Sequence, residues 1–185
     1  TRLIRIRERT TDLEKIALTN SLSRKISNNQ LTIDEAKTEL IHLRRASLQY
    51  SFFMNFIAAF VACGFFLFMF GGTASDFWIA CLAGGAAFLT FSFVQKYIQI
   101  KFFSEFVASA VVISIAAIFT KIGIAKNQDI ITIASVMPLV PGILITNAIR
   151  DLLAGELLAG MSRGVEAALT AFAIGAGVAI VLLLL

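Results

Sequence analysis

Pro138-Leu139-Val140-Pro141-Gly142 lies inside an uncharged apolar run, Ile130 to Ile149, and Arg150-Asp151 follows at once. Proline lacks the amide donor and collides with the preceding helical turn. Two prolines and a glycine within five residues therefore predict a helix that stops and restarts. In lipid such a break leaves backbone groups without partners, which is tolerated only where they face protein, water or a ligand. The break is thus an architectural feature and a candidate site at once.

The uncharged character of this run recurs along the chain. Ala46 to Ser75, Phe77 to Gln95 and Ala167 to Leu185 carry no charge, and Glu105 is the only charge between Lys101 and Lys121. Each window approaches or exceeds the roughly 20 residues that cross a bilayer core. Of the 185 residues 58% are hydrophobic and 15% charged, and the mean hydropathy is +0.84; a soluble domain carries more charge than this. The sequence predicts an all-α integral membrane protein. Residues 49–185 form about five transmembrane helices, the fourth broken at Pro138–Gly142.

Charge sets the expected orientation. If the segments alternate sides, Lys121 and Lys126 are the only two of the 16 Lys and Arg on one face. Basic loops stay cytoplasmic, which puts the N-terminus inside and the C-terminus outside. The net charge of +4 is then a topology signal. The basic residues show no aromatic interleaving, so no nucleic-acid partner is expected. Cys63 and Cys81 sit within apolar segments and read as small buried hydrophobes; no metal or other cofactor is expected.

Residues 1–48 read as a cytoplasmic segment. Ile4-Arg5-Ile6-Arg7 alternates with the period of a strand. It is read as the end of a truncated soluble α/β domain, and the start on Thr1 as an excerpt of a longer protein. Thr11 with Glu14, and Thr32 with Glu35, fit capping boxes that open two helices of a hairpin. Ile33, Ala36, Leu40 and Leu43 give the second helix an apolar stripe. The single histidine, His42, is read as a helix-surface residue. In the membrane, Ala80, Gly84, Ala87, Gly175 and Gly177, with the Gly160–Gly164 spacing, are read as close helix contacts.

The second half of the broken segment begins with unpaired amides at a positive dipole end. Half-helix ends of this kind hold anionic groups at mid-membrane in transporters. Pro138, Pro141 and Gly142 would shape the site, with Thr132, Ser135, Thr146 and Asn147 as neutral polar neighbours. The arrangement suits a small carboxylate or zwitterion. Arg150 and Asp151 would bind the carboxylate or, pairing across the mouth of the pathway, gate it; the other reading is an amphipathic interfacial helix that interleaves Leu152, Leu153, Leu157 and Leu158 with these charges, Glu156 and Arg163. Asp151, Glu156 and Glu166 are the proton-coupling or gating candidates, since burial raises a carboxylate pKa. No serine-histidine-carboxylate set, phosphate-cradling loop or zinc motif is present, so no catalytic residue is assigned and an enzyme is not expected.

Met137-Pro138-Leu139-Val140-Pro141-Gly142, followed by Thr146-Asn147-Ala148-Ile149-Arg150-Asp151-Leu152-Leu153-Ala154-Gly155-Glu156-Leu157-Leu158-Ala159-Gly160, resembles the signature of the threonine/serine exporter family. Asp12 to Arg24 and Leu31 to Ala36 also match its pattern. The resemblance implies one half of a proton-motive-force-driven exporter in the bacterial inner membrane. It implies a partner supplying the second membrane half, as a separate subunit or the rest of a fused chain, and an oligomer. Threonine and serine are the implied substrates, with succinate-type dicarboxylates as the alternative. A non-transporting scaffold subunit is the competing class.

Overall fold

The computed structural model describes residues 13–45, 50–98, 100 and 102–184. The chain divides into two compact units, Thr1–Ser51 and Phe52–Leu185. Among the described residues every regular element is helical. The expected strand at Ile4–Arg7 and the Thr11–Glu14 capping box lie outside the described residues.

The first unit contains α1 (Leu13–Ser27) and α2 (Ile33–Arg45). α2 opens on the reciprocal cap its sequence announces. The Thr32 amide and hydroxyl donate to Glu35 Oε2 at 2.9 and 2.7 Å, and the Glu35 amide donates back to Thr32 Oγ1 at 3.4 Å. The Thr32 amide, then its hydroxyl, hold the Glu35 carboxyl below its ordinary range. The expected α2 stripe is only partly covered. Ala36 is buried and Leu43 half-buried, whereas Ile33 and Leu40 are exposed. His42 is exposed on α2.

The second unit runs α3 (Phe52–Met69), a 3-10 turn at Ala74–Asp76, α4 (Phe77–Tyr97), α5 (Phe103–Lys121) and α6 (Gln128–Val136). A second 3-10 turn at Met137–Leu139 leads to α7 (Gly142–Leu153) and α8 (Leu157–Leu184). α3, α4, α5 and α8 are long and apolar enough to cross a membrane. The pair on either side of the break, bent by 62°, would make a fifth span. This is a multi-pass membrane protein. α3 stops where Gly71 turns left-handed (φ 78°), and Gly72 N–H then bonds back to Leu67 O at 2.8 Å; this helix-closing pair suits glycine because it has no Cβ.

α4 is the central helix, touching α3, α5 and α6. It meets α3 through a reciprocal fit: Cys63 fills the space beside Gly84, and Cys81 the space beside Gly64. A Cβ on either glycine would overlap the facing sulfur. Ala80 and Ala87 are likewise buried on α4, as their small size suggests. Without a solvent-driven force between helices in lipid, such close packing supplies the attraction. Glycine plays the same part on α8, where Gly177 lies against Ser109 and the Phe106 carbonyl of α5. Gly175 differs from expectation: a Cβ there would meet nothing within 4 Å, because it sits on an exposed face.

α8 has 28 residues, about 42 Å of helix against a hydrocarbon core of about 30 Å. Its first turns pack on α7 and its later turns on α5. The charged stretch after the break is therefore not one amphipathic helix. It is divided between the end of α7 and the start of α8. The cause is Gly155, left-handed at φ 84°, which lets Glu156 N–H bond back to Asp151 O at 2.9 Å and closes α7.

Candidate functional site

The break forms as proline chemistry requires. Pro138 has no N–H for the α-helical ladder, and the chain tightens into a 3-10 turn whose Val140 N–H reaches Met137 O at 3.2 Å. Val140 is extended (ψ 129°), as the residue before a proline must be. After Pro141 the helix restarts at Gly142, and Gly142 N–H bonds Val140 O at 2.8 Å. No side chain caps α7. Gly142 borders open space, with nothing within 4 Å of where a Cβ would stand. Pro138, Val140, Gly142 and Ile143 are exposed, and Pro141 is half-buried.

The α6 side of the break is fixed to the bundle. Ser135 is fully buried and donates its hydroxyl to Ala80 O of α4 at 3.1 Å, while Cys63 Sγ of α3 lies 3.8 Å from Ser135 O. Val136 and Leu139 enter the core with Ala83, Val112 and Ile174. The far end of α6 is held by Asp76. This carboxylate has no exposed surface and accepts the Lys126 and Asn127 amides at 3.0 and 3.3 Å. Thr73 Oγ1 donates to it at 3.0 Å and Ser75 Oγ at 3.5 Å. Asp76 thereby serves the start of α6, where backbone donors lack helical partners.

The α7 side is held by α8. Ala148 is buried where Gly160 leaves room for its carbonyl and for Leu152. Gly164 touches Ala148 only at ordinary van der Waals range. Asp151 pairs with Arg163 of α8. Arg150 is exposed. In place of the Arg150–Asp151 pair of the gate reading there is an Asp151–Arg163 bridge between helices, since neighbours on a helix do not face each other. Thr146 is exposed, with its hydroxyl donating to Gly142 O at 2.9 Å. Asn147 is half-buried. Glu156 is exposed in the turn before α8, and Glu166 is half-buried three residues beyond Arg163.

Gly142, Thr146 and Arg150 follow at four-residue spacing and are all exposed, so they form one stripe along α7. Asn147 and Asp151 lie on the adjoining half-buried strip. Arg150 is eight residues beyond Gly142, about 12 Å along the helix. Thr146 is one turn from Gly142 and Arg150 a little over two.

Sequence reasoning missed Asp76 and Arg163. Arg163 was legible in principle, because a turn at Gly155 folds α8 back so that residue 163 passes residue 151. Asp76 carried a weaker signal, an acid alone between two apolar runs; its partners lie 50 and 51 residues away, which no local pattern reveals.

A model of the family described as "Putative threonine/serine exporter" matches residues 1–185, the entire chain. No curated protein and no solved structure matches it.

Proposed function

We propose, from the premise that this chain belongs to the threonine/serine exporter family, that it is one membrane half of a secondary-active exporter of small carboxylate metabolites, with threonine and serine as substrates. The observation that carries the reading is the uncapped start of α7 at Gly142, open to its surroundings beside a double proline break. An uncapped helix N-terminus offers amide donors and positive potential to an anion. Backbone exposed within a membrane-spanning region is sustained only by such a partner or by water.

The substrate carboxylate sits at the Gly142 end, shaped by Pro138 and Pro141, with Thr146 one turn further and Asn147 beside it. Asp151 and Arg163 act as a gate, opening and closing α7 against α8. Arg150, on the same exposed stripe, lines the path. Proton coupling uses Asp151, with Glu156 and Glu166 as the other acids on this arm. The transport path is completed by a second membrane half, and the N-terminus is cytoplasmic by the distribution of Lys and Arg.

Counterflow in proteoliposomes tests this. The chain is reconstituted with its second half, and labelled threonine, serine and succinate are offered. Threonine or serine should exchange, and Asp151→Asn or Arg163→Gln should reduce exchange about tenfold or more, as expected when one member of a hydrogen-bonded charge pair is removed. Elution of the complex should not change. Full exchange by both variants would make the pair mere scaffold, and an intact complex that exchanges no amino acid would overturn the substrate class.

A further inference from the structure

A groove of about 730 Å³ opens where α3 begins and α4 ends. None of its lining residues belongs to the break or to α7. Its apolar wall is Phe52 of α3 with Leu89 and Phe93 of α4, all well exposed. Thr90 and Ser92, half-buried, supply hydroxyls. Its rim is Lys96 and Tyr97, the last turn of α4. Phe93 and Tyr97 lie ring to ring at 4.6 Å, and Lys96 Nζ stands 5.9 Å from the Tyr97 centroid.

The chemistry changes along α4: Leu89, Thr90, Ser92 and Phe93 mix apolar surface with two hydroxyls, and Lys96 and Tyr97 put a cation and a phenol at the helix end. That order is the order of a phospholipid entering from the bilayer, acyl chain first and phosphate last. An apolar groove along a span matches an acyl chain, and a basic residue at its end matches a phosphate by charge. Basic positions at the ends of spans attract anionic lipid, and tyrosine settles at the head-group level. We infer that the Phe52–Tyr97 groove is a binding site for one anionic phospholipid, its phosphate on Lys96 and Tyr97 and its acyl chain over Leu89 and Phe93.

The chain has one tryptophan, Trp78, at the opposite end of α4, which gives the experiment an internal reference. Phe93→Trp in a Trp78→Phe background places a reporter in the groove, and the natural chain reports from the far end. Each is reconstituted with brominated phosphatidylglycerol or brominated phosphatidylcholine at low mole fraction. Quenching at position 93 should favour phosphatidylglycerol about fivefold, the effect of one basic residue at the surface. Lys96→Gln should abolish that preference without changing the elution profile. Trp78 should show none, and soluble glycerol phosphate should not relieve the quenching. Leu89→Trp gives the same readout if Phe93→Trp aggregates. Equal quenching by both lipids at position 93 overturns the site, as does a preference that survives Lys96→Gln. A matching preference at Trp78 reduces it to general surface charge, and relief by glycerol phosphate shows a head-group site that needs no lipid.

Discussion

α6 and α7 meet at Pro138–Gly142, yet their attachments differ. α6 is fastened at its start by the Asp76 carboxylate and at its end by the Ser135 hydroxyl, with Val136 and Leu139 in the core. α7 starts uncapped beside open space and rests on α8 through Ala148 and the Asp151–Arg163 pair. One half of the bent pair is bound to α3 and α4, and the other to the 28-residue α8. Alternating access needs a fixed wall and an element that moves past it. On the proposed function, α6 would be the wall and α7 the moving part, with the proline segment between them as the hinge.

Hydrogen exchange is the strongest way to break this comparison. Amides of α7 should exchange about a hundredfold faster than those of α6, as expected of segments with few buried contacts. Asp76→Ala should erase much of the difference by freeing the start of α6, and should lower stability by about 2–3 kcal/mol through loss of a buried acceptor. Equal protection of both helices in the natural chain would remove the case for a mobile α7.

Two glycines sharpen it at a smaller scale. Gly84→Ala forces a methyl into Cys63 and should cost about 2 kcal/mol in thermal unfolding, within the range for overpacked interiors. Gly142→Ala meets nothing and should leave stability within about 0.5 kcal/mol. Any transport defect in Gly142→Ala then belongs to the site and not to folding. A matching loss of stability in both variants would contradict the contrast between packed and open sides.

The smallest effect lies in the first unit. The Glu35 carboxyl is held below its ordinary value of 4.5 by the Thr32 amide and hydroxyl. A depressed carboxylate stabilises the fold above its unfolded pKa and loses that contribution as pH falls through the folded pKa. The start of α2 should therefore fray below about pH 4.5. Thr32→Ala should flatten this dependence, measured as amide chemical shifts of residues 33–36.

Much of this was legible in the chain. Uncharged windows announced the spans because burying charge in lipid is costly. Pro138 and Pro141 announced the break because a missing donor acts at its own position. The Thr32–Glu35 cap could be read for the same reason, since its partners are three residues apart. Legibility failed where partners are distant or where a face had to be chosen. Of the apolar stripe on α2, Ala36 is buried while Ile33 and Leu40 are exposed. The charged stretch through Gly155 was open to two readings, one amphipathic helix or an Arg150–Asp151 pair, and the local pattern could not choose a partner on another helix.

The sequence by itself determined that this is a membrane protein, where its helices lie, where one of them breaks and which family it belongs to. These are properties of local composition, donor loss and motif. Only the tertiary structure decided that Asp76 holds α6 from across the chain, that Arg163 takes Asp151, and that Cys63 and Cys81 interlock with Gly84 and Gly64. Each depends on which faces of separate helices meet, and in lipid that choice is made by close packing and hydrogen bonding, not by a hydrophobic pattern the chain could display.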